Sequence, residues 1–325
     1  MANTTTSSGL SQLAQTYYNT IAETRLVNNW CFYPLGKKNV FPKHSGQTMS
    51  FYRYNNVAGT TATIAEDALT TGQVQLSATT TTVSMSLYGQ FITLSNYAEY
   101  SERSKSTLED AVNVLADSAS DTWDLNIRTM LDTQLSTYVS AGGGNFVGQL
   151  GNRTTATILT SDTMAPATLK IIARNFVSNK VRNIRDGQAY VGVFSPYQTY
   201  DLFSDTTVLG MAAVSAYGNQ PDKVFNFERG KLWGIRILES QNCILQTSAQ
   251  ITSSVTAYTG YVIGEDAFSC VSLEGSPIEI LVKTSGGTYD PFSNISTVAY
   301  KMWAGVAWLG GDGPRAYRVT TAVTA

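Results

Sequence analysis

Hydrophobic positions along the chain repeat with two periods. From Leu108 the apolar residues Val112, Leu115, Ala119, Trp123, Ile127, Met130 and Leu135 recur at three- and four-residue steps, the spacing that lays one stripe along a helix. Ser106-Thr-Leu-Glu109 precedes the stripe as a capping box, and Gly142-Gly-Gly144 follows it as a stop. A helix of about 30 residues is predicted. A second begins near Pro166, with Leu169, Ile172, Ala173 and Phe176 on one face. A short amphipathic helix can form around Leu10 to Ala22, and the rest of the chain to Gly46 mixes aromatics with turn residues, as an arm docking elsewhere does.

The other period is two. Thr48 to Tyr54 reads as a strand, and a second extended run covers Val74 to Leu94. Together they predict a long hairpin. In the second run Val74, Leu76 and Ala78 share one phase, while Val83, Met85, Leu87 and Phe91 share the other. A bend or bulge is therefore expected near Thr79 to Thr82. Further extended runs are Tyr190 to Phe194, Lys231 to Leu238, Gly260 to Ile263, Glu265 to Ser269, Ile278 to Lys283 and Thr297 to Leu309. Strands interspersed with two helices, without a repeated βαβ unit or internal repeat, indicate an α+β fold.

Charge changes this picture. No Asp, Glu, Lys or Arg occurs between Asp67 and Glu99, so the hairpin lacks the charges that protect exposed strand edges from pairing with other chains. Only 14% of the 325 residues are charged, which suggests surface covered by other copies. Lys plus Arg number 22 against 24 for Asp plus Glu, which gives no footprint for gripping nucleic acid by its phosphates. The opening MANTTTSSGLSQLAQ has no basic leader or apolar core, and no apolar run approaches a membrane span of about 18 residues. Synthesis in the cytosol is expected. Cys31, Cys243 and Cys270 are too scattered for a metal pair or a disulfide framework, so buried reduced thiols are expected.

Catalytic sets do not assemble. His44 is the only histidine, and Gly192-Val-Phe-Ser195-Pro196 lacks the second glycine of a nucleophile elbow. Neighbouring acids such as Glu109-Asp110 and Glu265-Asp266 fit capping or solvated roles better than a glycosidase pair. Gly142 to Gly144 with Gly148 lacks the Gly-Lys-Ser/Thr of a phosphate loop. No enzyme activity, cofactor or metal is expected. Arg53 between Tyr52 and Tyr54, and Arg315 and Arg318 around Tyr317, suit inter-subunit contacts better than nucleic acid.

Six blocks in order resemble the major capsid proteins of tailed bacteriophages, in the branch typified by the N-four-like podoviruses. They are Phe41-Pro-Lys-His-Ser-Gly-Gln-Thr-Met-Ser-Phe-Tyr-Arg53, Tyr88-Gly-Gln-Phe-Ile-Thr-Leu-Ser-Asn96, Asp186-Gly-Gln-Ala-Tyr-Val-Gly-Val-Phe-Ser-Pro-Tyr-Gln-Thr-Tyr-Asp-Leu202, Gly230-Lys-Leu-Trp-Gly-Ile-Arg-Ile-Leu-Glu-Ser240, Val262-Ile-Gly-Glu-Asp-Ala-Phe268 and Asp290-Pro-Phe-Ser-Asn-Ile-Ser-Thr-Val-Ala-Tyr-Lys-Met-Trp303. The resemblance runs from about Tyr17 to Leu309. It implies the Hong Kong 97-type capsid fold: an N-terminal arm (1–46), an extended hairpin loop (47–95), a peripheral domain with a long spine helix (96–165), an axial domain (166–285), and a return to the peripheral domain with a C-terminal strand (286–325).

The function implied is a major capsid protein that self-assembles, as hexamers and pentamers, into the icosahedral head around double-stranded DNA. The portal protein, separate scaffolding and decoration proteins, and non-specifically contacted DNA are the implied partners, in a virion assembled in the bacterial cytoplasm. Phe51, Tyr52, Arg53, Tyr54, Tyr88 and Phe91 are the inter-subunit contact candidates. Some capsids of this fold are crosslinked through a hairpin lysine, but no lysine lies between Lys43 and Lys105 here, so noncovalent contact is expected. The alternatives are a bacterial nanocompartment shell protein and a carbohydrate-binding virion protein.

Overall fold

The computed structural model describes residues 17–22, 30–54, 57, 59, 61, 74–97, 107–140, 146–147, 163–184, 189–204, 228–246, 256–274, 278–283, 292, 294–310 and 315–322. Ser106, Gly142 to Gly144, Gly148, Asp186 and the 10–16 part of the expected N-terminal helix lie outside them. Residues 17–22 are helical, and Tyr33–Leu35 form a 3-10 turn. Strands β1 (Lys37–Phe41), β2 (Thr48–Tyr54), β3 (Ala78–Ser84) and β4 (Ser86–Ser95) follow, then the long helix α1 (Thr107–Ser140). After β5 (Phe146–Val147) come α2 (Pro166–Ser178), β6 (Tyr190–Phe194) and α3 (Pro196–Ser204). The remaining described elements are strands: β7 (Glu228–Leu232), β8 (Ile235–Glu239), β9 (Ile244–Gln246), β10 (Ala257–Ile263), β11 (Phe268–Leu273), β12 (Glu279–Lys283), β13 (Ile295–Trp308) and β14 (Ala316–Ala322).

These strands form two main sheets and a separate ribbon. In the five-stranded sheet the order is β1-β11-β13, with β12 and β4 also paired to β13. In the seven-stranded sheet it is β5-β14-β10-β6-β8-β7, with β9 paired to β10. Among the described residues, strands β2 and β3 pair only with each other. The α+β reading therefore holds.

Helix α1 lies against β13, because its stripe of Val112, Leu115, Ala119, Trp123, Ile127 and Leu135 meets Val298, Tyr300 and Met302 in one buried cluster. Large side chains of this kind contribute about 1.5–3 kcal/mol each when fully buried. The stripe also runs through Leu131, which is fully buried, while the expected Met130 is half-buried and packs against the same cluster at its edge. Asp124, on the same buried side, holds the N-terminal segment in place. Its carboxylate accepts the backbone N–H groups of Cys31 (2.8 Å), Phe32 (3.2 Å) and Tyr33 (3.3 Å). Burial raises the Asp124 carboxyl to about 6, with these three N–H donors acting in the opposite direction.

The seven-stranded sheet is covered on both faces, and every residue of β6 is buried. Val191, Val193 and Tyr261 join the α1 core, while Phe194, Val262 and Val319 face α2 through Leu169, Ile172 and Phe176. The guanidinium of Arg318 on β14 reaches Asp132 on α1 at 3.1 Å and ties this sheet to the long helix.

Several local expectations change. The run Lys231 to Leu238 is a hairpin of β7 and β8 turned at Trp233 and Gly234, which both take positive φ as a primed two-residue turn requires. The run from Glu265 to Ser269 is mostly turn, because Asp266 sits at φ 52° and the strand starts only at Phe268. Helix α3 adds a third helix. Its start is a reciprocal cap, with Gln198 N–H donating to Ser195 Oγ (3.2 Å) and Ser195 N–H donating to Gln198 Oε1 (3.3 Å).

Candidate assembly surface

The ribbon starts at a tight turn after β1, where His44 (φ 66°) and Gly46 (φ 96°) both take left-handed backbone. His44 is exposed there and serves as a turn residue. From this turn β2 runs antiparallel to β3 in strict register, Thr48 opposite Ser84 through Tyr54 opposite Ala78. An isolated two-stranded ribbon is marginal in water, so one face must be held. Met49 and Phe51 on β2, with Val83 and Met85, pack onto Phe41, Val271 and Ala307. Arg53 donates from its guanidinium to the carbonyl of Leu309 at 3.0 Å. The ribbon thus lies along the outer face of the five-stranded sheet.

The expected bend at Thr79 to Thr82 is absent. Strand β3 is continuous across those threonines, and the break falls at Met85, whose N–H donates to the carbonyl of Gln47 at 3.0 Å. Beyond Met85 the chain leaves the ribbon. Strand β4 pairs instead with β13, from Ser86 opposite Ala304 to Ser95 opposite Ile295. The phase flips with this change of partner: Val83 and Met85 are buried, but Leu87 is 52% and Phe91 70% exposed. The half-buried positions of β4 are Tyr88, Ile92 and Leu94, which face the α1 core.

The six contact candidates therefore divide. Phe51, Arg53 and Tyr88 are engaged within their own chain. Tyr52, at 72% exposure, Tyr54 and Phe91 project into solvent. Tyr52 stands opposite Thr80 and Tyr54 opposite Ala78, so the outer ribbon face is uncharged and aromatic. Val57, Val74 and Leu76, beside the ribbon end, are also exposed. On the neighbouring sheet face, Leu87 and Phe91 lie beside Trp303 and Ala299. The charges there include the partly exposed pair Lys301–Glu279 at 2.8 Å and the exposed Lys283 on the same face of β12. Strand β4 has β13 on one side and, among the described residues, no strand on the other. The result is a sheet edge without a second strand among the described residues, bordered by exposed apolar side chains, the arrangement that pairs with a further chain.

The other candidate chemistry is absorbed by local structure. Ser195 is buried and caps α3, Glu109 lies in the first turn of α1 and accepts from Tyr17 Oη, and Glu265 and Asp266 belong to the β10–β11 turn. All three thiols are buried and unoxidised. Burial pushes Cys243 up to about 12 and raises Cys31 and Cys270 as well, which keeps them protonated and unreactive. Among the described residues no group of three or more His, Cys, Asp or Glu is placed to hold a metal, and no helix is long and apolar enough to cross a membrane.

No family model and no curated protein matches this chain. Solved structures do. The chain is similar to the capsid of Ralstonia phage GP4, with a TM-score of 0.68 at 14% identity over 91% of this chain and 92% of that one. Against the cyanophage Pam1 capsid the TM-score is 0.66 at 12% identity, over 90% and 92% of the two chains. Against the capsid of cyanophage P-SCSP1u it is 0.62 at 16% identity, over 91% and 89%. The mixed α+β architecture, nearly end to end, is the fold of phage capsid proteins.

Proposed function

We propose that this chain is the major capsid protein of a tailed bacteriophage, built on the Hong Kong 97-type fold, and that many copies close into an icosahedral shell around double-stranded DNA. The observation that carries this reading is the fold shared with phage capsids over nine-tenths of the chain. The β4 edge and the uncharged aromatic ribbon face support it, since both demand a partner and a second copy supplies one. In this reading the chain's role is structural, not catalytic. The five-stranded sheet with α1 forms the peripheral part and the seven-stranded sheet the axial part. The ribbon of β2 and β3 belongs to the extended loop, which lies on a neighbour. The N-four-like branch is the lineage this reading assigns.

Heterologous contacts of this kind, closed by rotation, give the hexamers and pentamers of a shell. Portal, scaffolding and decoration proteins complete the assembly in the host cytoplasm, and DNA meets the inner surface without sequence preference. Electron microscopy of the purified chain, alone and with a candidate scaffold, tests the proposal. Closed shells are expected. A chain that remains monomeric at high concentration, and forms no shell in cells producing phage, refutes it.

A further inference from the structure

A concave cleft of about 180 Å³ opens where the ribbon crosses the body, lined by Lys37, Arg53, Arg315 and Asp266 with Phe51 and Leu309 as apolar wall. Its charges come from four separate places in the chain: the start of β1, β2, the turn before β11 and the approach to β14. The two arginines are held by backbone, Arg53 on the Leu309 carbonyl at 3.0 Å and Arg315 on the Glu265 carbonyl at 3.3 Å. A carbonyl fixes a guanidinium without neutralising it. Lys37 is exposed at the rim and has no acidic partner among the described residues. Arg182 is also close enough to repel Arg315, and Glu265 and Asp266 attract it. The cleft wall itself carries three cations, Lys37, Arg53 and Arg315, against one acid, Asp266. Burial first, and then the neighbouring Arg53, lower the Arg315 pKa, as expected for cations gathered in a partly desolvated recess.

We infer that this cleft receives a carboxylate side chain from a second copy of the chain, so that the ribbon's apolar docking is locked by an ionic contact at its base. Size and charge select that occupant. The volume suits one acidic side chain, with Phe51 and Leu309 covering its methylenes and the cations meeting its head. A nucleic-acid backbone repeats its charge every few ångströms and needs an extended basic surface, which a cleft of about 180 Å³ does not offer. The second copy has acid to give: removing the cleft's three cations and one acid from the chain's 22 and 24 leaves 19 basic residues against 23 acidic ones. A cationic recess on an otherwise acidic molecule is complementary to another copy of itself.

The inference rests on the shell reading, and the test separates the two. Lys37→Glu, Lys37→Met and Lys37→Arg are made in the full chain, and the lowest concentration that supports assembly is read by light scattering and electron microscopy. Lys37 is exposed, so the melting temperature stays at the wild-type value. Lys37→Arg assembles as wild type does. Lys37→Met needs several-fold more protein and Lys37→Glu about tenfold more or beyond, since each reversed charge recurs at every contact of the assembly. Wild-type shells alongside Lys37→Glu shells at the same concentration overturn the docking alone. A wild-type chain that stays monomeric overturns the shell reading and the docking with it. Unchanged assembly with weaker retention of linear duplex DNA by Lys37→Glu assigns the recess to phosphate and overturns the inference as well.

Discussion

Replacing Phe91 with Asp separates folding from assembly. The ring stands on β4, opposite Ala299 of β13, and is 70% exposed in the single chain. A phenylalanine side chain offers about 200 Å², so about 140 Å² of it is bare. At about 25 cal/mol per Å² its complete burial in a neighbour is worth about 3.5 kcal/mol. An interface that covers only half of that area still recovers nearly 2 kcal/mol, a factor of about 20 in each contact's association constant. Aspartate removes this gain and places a charge on a stretch that has none from Ala68 to Ala98, on the exposed face of an edge strand, where a neighbour covering it must desolvate it. The isolated chain should unfold in urea within about 0.5 kcal/mol of wild type, since little of the ring is packed internally. Assembly, followed by light scattering against concentration, should fail at concentrations where wild type forms shells. Phe91→Leu should fall between the two. If Phe91→Asp assembles as readily as wild type, the outer face of β4 is not an interface and the reasoning fails.

Three further outcomes follow from the geometry. The Asp124 carboxyl is raised from 3.8 to about 6 in the folded chain, so its neutral form is favoured on folding; the resulting stability is complete below about pH 4 and is lost as pH rises through about 6. That is a fall of about 3 kcal/mol, visible as a declining urea midpoint between pH 4 and 6 that is absent in Asp124→Asn. Gly89→Ala drives a Cβ to 2.7 Å from the carbonyl oxygen of Tyr300, so the β4–β13 pair must shift, and chemical denaturation should show a loss of about 1–3 kcal/mol. His44→Asn should be neutral to within about 0.5 kcal/mol in stability and unchanged in assembly, because Asn tolerates the left-handed φ of 66° and the imidazole has no other task.

Much of this fold is local and can be read from short windows of sequence. Helix α1 declares itself by a 3.6-residue stripe, and only the full burial of Leu131 needed coordinates, since adjacent Met130 and Leu131 both satisfy the spacing. Helix α3 was also legible: Ser195-Pro-Tyr-Gln198 is a capping box, hidden because Tyr190 to Phe194 draws attention as a buried strand just before it. The β7–β8 turn carries Trp-Gly, where the usual hairpin signal is Asn-Gly or Asp-Gly, so one apolar run concealed two strands.

What stayed hidden is non-local. The partner of β4 lies some two hundred residues downstream on β13, and no window around Leu87 contains it. Side-chain direction on a strand depends on where the chain changes partner, and a one-residue slip reverses every face. Placing the break at Thr79 to Thr82 kept Leu87 and Phe91 in phase with Val83 and Met85; moving it to Met85 turns them out. The same rule sorts β2: Met49, Phe51 and Arg53 must face the body once the ribbon rests on Val271 and Ala307, so Tyr52 and Tyr54 face away. The missing charges and the exposed rings are therefore one feature. A ribbon face open to water carries aromatics with polar tips, threonines and serines, and the one cation of its strands, Arg53, sits where a backbone carbonyl holds it, at the ribbon's inner side.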